Sequence, residues 1–343
     1  MIALALATPE YGAKAYNLAR LIGHTAVPQG FALHPDDKRS SGNTRRIMNR
    51  FRGQLVAVRS SALGEDGKAV SFAGQHDTFL NVMCEPNSLW EAINKVKDSV
   101  NKSQDYQDVS DVKVTRMGVI VQEMLAPQLS GVMFTSDPTS AAYGTMLIEY
   151  VEGLGDKLVG GEVNPDGRVR VTGDEFDVEI AHPLPWSAKR LVELGQRLVD
   201  RFNEGPLDIE WAMSPMGHFY ILQARPITGV NWNVEGRGTS VQKGIVEGTG
   251  RWVHGAHDNK KVDDIFYKGD ILLTGMTDPR MIHQMILSAG MVTEIGGQTC
   301  HAAIVARELG KPCIIGAGNI VRAFIGLDTV IDADKGEVYA RGD

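Results

Sequence analysis

The chain has 343 residues, 43% hydrophobic and 22% charged, which are the proportions of a globular protein with room for two domains. Lys and Arg number 35 against 42 Asp and Glu, a net charge of −7, so no overall positive field argues for nucleic acid. No apolar run approaches the ~20 residues of a membrane span, and the opening MIALALATPE lacks a basic leader region. Cys84, Cys300 and Cys313 have no metal-ligand spacing, which suits a reducing cytoplasm.

In chain order, residues 12–22 and 86–102 read as helices. QLVAV (54–58), DTFLNV (77–82), MGVIVQEM (117–124), GVMFTS (131–136) and TMLIEYV (145–151) read as strands. A helix at 187–203 precedes LDIEWAM (207–213) and HFYILQ (218–223), two strands turned by Ser214–Gly217. The glycine-rich stretch from Pro226 to Gly250 is weakly periodic and reads as a boundary. Beyond it come strand 270–274, helix 279–288, strand 291–293, a helix after Gly296–Gly297, and strands at 313–316, 328–332 and 337–340. That alternation is a small α/β unit.

The last helix carries the sharpest feature. Thr299 is read as its N-cap, and Gly310 with Pro312 ends it, so His301 falls in the first turn. Unpaired N–H groups and the positive end of the dipole there disfavour imidazolium and favour an anion. A neutral imidazole in that place can act as a nucleophile, and a phosphoryl group set on it is stabilised. A partly buried histidine in an ordinary first turn is the plainer reading of the same residues.

Polar groups in the first 230 residues have the composition of a nucleotide site. Lys14 stands beside a glycine turn, and Arg59 ends a buried-looking strand, as Thr135 and Asp137 end another. SFAGQHDTFLNV supplies a glycine turn between two β-like segments. Asp208 and Glu210 share one face of a strand, Gln223 and Arg225 one face of the next. Carboxylate and amide oxygens suit Mg²⁺, while Lys and Arg suit phosphates. Each taken singly could be a solvated surface group. Neither GxxxxGK[ST] nor a strand-linked GxGxxG is present.

The chain resembles the pyruvate phosphate dikinase / phosphoenolpyruvate synthase family. VAVRSSALGEDGKAVSFAGQHDTFLNV, SGVMFTSDP, IEYVEGLGDKLVGGEVNPD and DIEWAMSPMGHFYILQARPIT resemble its ATP-binding domain. GDILLTGMTDP and GGQTCHAAIVARELGKPCIIGAG resemble its phosphohistidine swivelling domain. The resemblance implies an α/β chain: an α+β ATP-grasp-like nucleotide-binding domain (1–228), a glycine-rich linker (229–250) and a small α/β swivelling domain (251–343). It implies ATP and Mg²⁺ as cofactors and transfer of the β-phosphoryl of ATP to the histidine, with AMP and phosphate as products. By position it places the phosphoryl carrier on His301, with Thr299 and Cys300 flanking it. It places catalytic roles on Arg59 and Arg225 besides His301, nucleotide contacts on Lys14, Arg59, Thr135, Asp208, Glu210, Gln223 and Arg225, and metal contacts on Glu210 and Gln223.

The departures are specific. Ala13 replaces a second glycine, and residues 34–55 form a shorter segment than in relatives. No segment within these 343 residues is long enough for the family's acceptor barrel, which needs roughly 250 residues. The expected acceptor is therefore a small molecule held between the domains or a separate protein, with no nucleic-acid or membrane partner. The alternative is an ATP-binding regulatory module whose His301 phosphorylation controls partner binding.

Overall fold

A computed structural model describes residues 1–63, 78–100, 116–139, 144–173, 175–180, 188–228, 230, 232, 234–254 and 266–340. Its first part is an antiparallel sheet with helices: β1 (Ile2–Ala3), α1 (Ala13–Leu21), β2 (Gly30–Leu33), α2 (Ser41–Phe51), β3 (Leu55–Ala62), β4 (Thr78–Met83), α3 (Pro86–Asp98) and β5 (Met117–Glu123). The strand order is β1-β2-β5-β3-β4. Alternation along β3 and β5 sends Val56, Val58, Val119 and Val121 to one face, where Ile47 and Phe51 of α2 and Trp90 and Ile93 of α3 cover them. The other face of β3 presents Ala57 and Arg59 to a cleft.

Helix α1 is placed by close backbone approach. Gly12 has φ 94°, and a Cβ there would lie 1.9 Å from the Ser61 carbonyl oxygen, so only glycine fits. The Ser61 hydroxyl then accepts from the Ala15 N–H at 3.0 Å, satisfying a first-turn donor. Leu18 and Leu21 enter a core shared with Ile209, Ile221 and Ala224 of the next sheet.

That second sheet comprises β6 (Leu129–Phe134), β7 (Thr145–Glu152), β8 (Gly167–Thr172), β9 (Glu175–Ile180), β10 (Leu207–Met213) and β11 (Phe219–Pro226), ordered β11-β10-β6-β7-β8-β9. Short α4 (Asp156–Val159) follows β7, and α5 (Ala188–Phe202) packs Leu191, Leu194, Leu198 and Phe202 into the shared core. β10 and β11 form the expected hairpin, closed by Ser214 N–H to His218 O at 2.9 Å.

The third sheet contains β12 (Glu235–Arg237), β13 (Thr239–Gln242), β14 (Ile245–Trp252), β15 (Ile271–Thr274), β16 (Gly290–Thr293), β17 (Cys313–Ile315), β18 (Asp328–Asp332) and β19 (Glu337–Ala340). Its order is β12-β19-β18-β14-β15-β16-β17-β13, with β14 to β17 parallel. Helices α6 (Ile282–Leu287) and α7 (His301–Leu309) connect the parallel strands.

The linker expected at 229–250 is corrected here. Residues 235–252 supply three strands of the third sheet, with Ile245–Thr249 paired to Asp328–Asp332. Their glycines serve close packing: a Cβ on Gly250 would lie 2.1 Å from the Phe324 carbonyl oxygen. The helix expected at 86–102 ends at Asp98, and residues 101–102 lie outside the described residues. The glycine turn expected within SFAGQHDTFLNV lies outside them too, as residues 64–77 do.

The third sheet seats on the end of α5. Asn203 caps that helix with φ 53°. Its side-chain amide donates to Trp252 O at 3.0 Å and its Oδ1 accepts from Trp252 N at 2.8 Å. Arg251 adds a bond to Asn203 O at 2.8 Å. Arg322 stacks over the Trp252 ring at 4.2 Å and pairs with Glu294 at 2.7 Å.

Candidate functional site

The first two sheets face each other across a cavity of about 400 Å³. Lys14 of α1, Arg59 of β3, Glu210 of β10 and Gln223 of β11 line it. An ion pair joins the walls, Arg59 Nη2 to Glu210 Oε2 at 2.8 Å, and Arg59 Nη1 also donates to the Leu222 carbonyl. Glu210 and Gln223 stand opposite each other in the hairpin register, so the carboxylate and the amide share one face. Apolar and small residues line it as well, among them Met124, Leu125, Leu154 and Gly155.

Gln223 is almost fully buried, and its Oε1 has no hydrogen-bond partner among the described residues. An orphaned buried acceptor is costly unless a ligand completes it. With the Glu210 carboxylate beside it, the pair offers two hard oxygen ligands, which is what Mg²⁺ takes alongside water and phosphate oxygens. The residues present fit the expected metal. No group of three or more His, Cys, Asp or Glu side chains suited to a metal occurs among the described residues.

Two register steps further along the hairpin, Asp208 stands opposite Arg225. Arg225 Nε and Nη2 both reach Asp208 Oδ2, at 2.9 and 2.7 Å. Burial pushes the Asp208 carboxyl above the usual carboxylate range, with Glu210 adding to the rise and the Arg225 charge opposing it. Neither residue lines the cavity itself. Thr135 is also away from it: its hydroxyl accepts from the Leu207 N–H at 2.7 Å, tying β6 to β10. A strand-end threonine that finds a backbone donor is held by it, which sequence position does not reveal.

His301 is the first residue of α7. The N-cap is Cys300, not Thr299, and it makes no side-chain cap bond. The reason is the Cys300 N–H to Gly297 O bond at 2.9 Å, which closes a turn and leaves the exposed Thr299 outside the helix. The helix ends as expected, with Gly310 at φ 64° and Lys311 N–H returning to Ala306 O. His301 Nδ1 lies 3.0 Å from the hydroxyl of buried Thr277. Thr277 was not among the sequence candidates. Its signal was the GMTDP turn after a buried strand, legible only once that turn is packed beside α7.

Comparison with known proteins follows this division. Residues 37–182 match the family described as pyruvate phosphate dikinase, AMP/ATP-binding domain. Residues 266–336 match the family described as PEP-utilising enzyme, mobile domain. A probable phosphoenolpyruvate synthase of Methanothermobacter thermautotrophicus is 34% identical over 329 residues, covering 83% of this chain and 47% of that protein. Its counterpart in Archaeoglobus fulgidus is 35% identical over 341 residues, covering 83% and 43%. The chain thus spans under half the length of these relatives. Among solved structures, an L-amino acid ligase from Bacillus licheniformis aligns with TM-score 0.35 and 13% identity, over 60% of this chain and 40% of that one. No described helix is long and apolar enough to cross a membrane.

Proposed function

We propose, from the premise that this chain belongs to the pyruvate phosphate dikinase and phosphoenolpyruvate synthase family, that it is an ATP-dependent phosphotransferase using His301 as phosphoryl carrier. ATP binds in the cleft, pyrophosphoryl transfer precedes release of phosphate, and the β-phosphoryl remains on the histidine while AMP departs. The carrier then passes the group to an acceptor, a small molecule or a separate protein. Lys14 and Arg59 face the phosphates as fixed positive charge. Glu210 and Gln223 would hold Mg²⁺, which neutralises charge on the transferring phosphates. The Asp208 pair fixes the Arg225 guanidinium at the edge of the hairpin, so its planar fork is oriented before nucleotide arrives.

The observation that carries this reading is the His301–Thr277 bond. Nucleophilic attack by Nε2 requires the tautomer with hydrogen on Nδ1, and Thr277 Oγ1 is in place to accept that hydrogen. The new phosphate would then sit by the first-turn N–H groups of α7, where negative charge is favoured. Incubation with Mg-ATP should therefore yield one acid-labile, base-stable phosphate per chain, and His301→Ala should yield none. An acid-stable phosphate on Ser or Thr, or an acid- and base-labile one on Asp, retained in His301→Ala, would overturn the reading.

The carrier unit begins before residue 251, since Trp232 and Val234 are buried in its core with Ile227 and Val230 packed against them, and it moves as a body relative to the first two sheets. Release of the Asn203–Trp252 seat accompanies that movement.

A further inference from the structure

Around His301 the carrier unit presents large apolar side chains to water. Met276, next to Thr277, is 50% exposed, Ile295 66% and Ile304 48%. The backbone brings them together: Ile295 N–H bonds to Gly275 O at 3.0 Å, and Ile304 lies one turn beyond His301 on α7. Arg307, a turn further, holds its guanidinium against Gln298 O at 3.0 Å, beside the loop that leads into the helix. Single exposed apolar residues are ordinary, but a cluster rimmed by charge marks a contact surface. The seat on Asn203 does not cover it, since that contact uses Trp252, Arg251 and the pairing of Arg322 with Asp200.

The nucleotide cleft carries a complementary rim. Leu154 and Val159 line its mouth and are 38% and 45% exposed, with Asp156 and Glu162 between and beside them. Apolar side chains flanked by carboxylates match an apolar collar flanked by an arginine.

We infer that the Met276–Ile295–Ile304 collar docks on the Leu154–Val159 rim of the same chain, seating His301 over the nucleotide cleft. The inference rests on the carrier reading of His301 and adds the surface that delivers it. Docking by a small apolar contact fits a carrier that must also leave, because a large interface would hold it in place.

The test is Ile304→Glu, which sets a carboxylate against Asp156 and Glu162. Labelling of His301 from Mg-ATP should slow at least tenfold, and Val159→Lys added to that variant should recover most of the rate. Phosphoramidate supplies the control. Its P–N bond breaks, ammonia leaves and a histidine N–P bond forms without any docking, so Ile304→Glu should label from it at the wild-type rate. Undiminished ATP labelling in Ile304→Glu, or an equal loss with phosphoramidate, overturns the inference. If wild-type protein labels from phosphoramidate but not from ATP, the dikinase reading has failed instead. Docking is then decided by a benzoylphenylalanine placed at position 304. Photocrosslinks to residues 154–163 within one chain sustain the inference, and crosslinks elsewhere or between isotopically distinguished copies overturn it.

Discussion

Asn203 joins the carrier unit to the rest of the protein, with Arg251 bonding to its carbonyl and Arg322 reaching Asp200 beside it. It is buried, holds φ 53° and exchanges two hydrogen bonds with the backbone of Trp252. Asn203→Gly keeps the left-handed conformation open and removes only those bonds. At about 1 kcal/mol for each net hydrogen bond the loss is about 2 kcal/mol, rising if the Trp252 groups stay dry. Asn203→Ala loses the same bonds and adds about 1–2 kcal/mol for a Cβ in the left-handed region. The total is then about 3–4 kcal/mol. Because the contact spans two units, the cost falls on their seating. A loss of 2 kcal/mol weakens the seated state roughly 30-fold. Scanning calorimetry should show the wild type most cooperative and Asn203→Gly lower in Tm. Asn203→Ala should be lowest, with its transition resolving into two. Asn203→Gly melting as wild type would refute the hydrogen-bond argument, and equal melting of the glycine and alanine variants would refute the backbone argument.

Arg225→Ala and Glu210→Ala should abolish ATP-dependent labelling while circular dichroism stays native. Arg225→Lys should also be poor, because a point charge cannot replace the two-pronged contact to Asp208; wild-type labelling in either alanine variant would remove that residue from the site. Thr277→Val should slow labelling about fivefold, the equivalent of a bond of about 1 kcal/mol. It should also shift the ¹⁵N signals of His301 toward a tautomer mixture, and unchanged signals would show that Thr277 does not set the tautomer. Burial pushes the Cys84 thiol up to about 11 and the Cys313 thiol up to about 12. Iodoacetamide at pH 7.5 should therefore modify only Cys300 in native protein, read by peptide mass mapping, because thiolate is the reacting form. Native modification of Cys313 would mean that its surroundings are open to water.

Much of the site was legible because its residues obey period-two geometry. Asp208 with Glu210, and Gln223 with Arg225, share strand faces, and the hairpin register brings them opposite one another. The His301 helix was bounded by Gly310 and Pro312 in the sequence and is so bounded in the fold. Helix α2 was missed because only Ile47 and Phe51 of its eleven residues are buried, too narrow a stripe to show a period. Its Ser40 cap, accepting from Asn43 N–H at 3.1 Å, was the available signal. The strands of 235–252 were hidden by glycines that read as turns but serve close packing inside the sheet. Strand β8 had a clean alternation, with Val169 and Val171 buried and Arg168 paired outward to Glu149, and was overlooked between two glycines. What no sequence pattern supplied was partnership across elements. Arg59 reaching Glu210, Thr277 reaching His301 and Asn203 reaching Trp252 all join residues far apart in the chain.

The account turns on which phosphate of ATP stays with His301. Parallel incubations with β-³²P-ATP and γ-³²P-ATP in the presence of Mg²⁺ decide it, with acid-labile radioactivity mapped to the His301 peptide and the nucleotide products separated. The dikinase reading predicts that the β-label is retained on His301, that the γ-label leaves as inorganic phosphate, and that AMP accumulates. Retention of the γ-label with ADP as the product would make the protein an ordinary kinase and contradict the account.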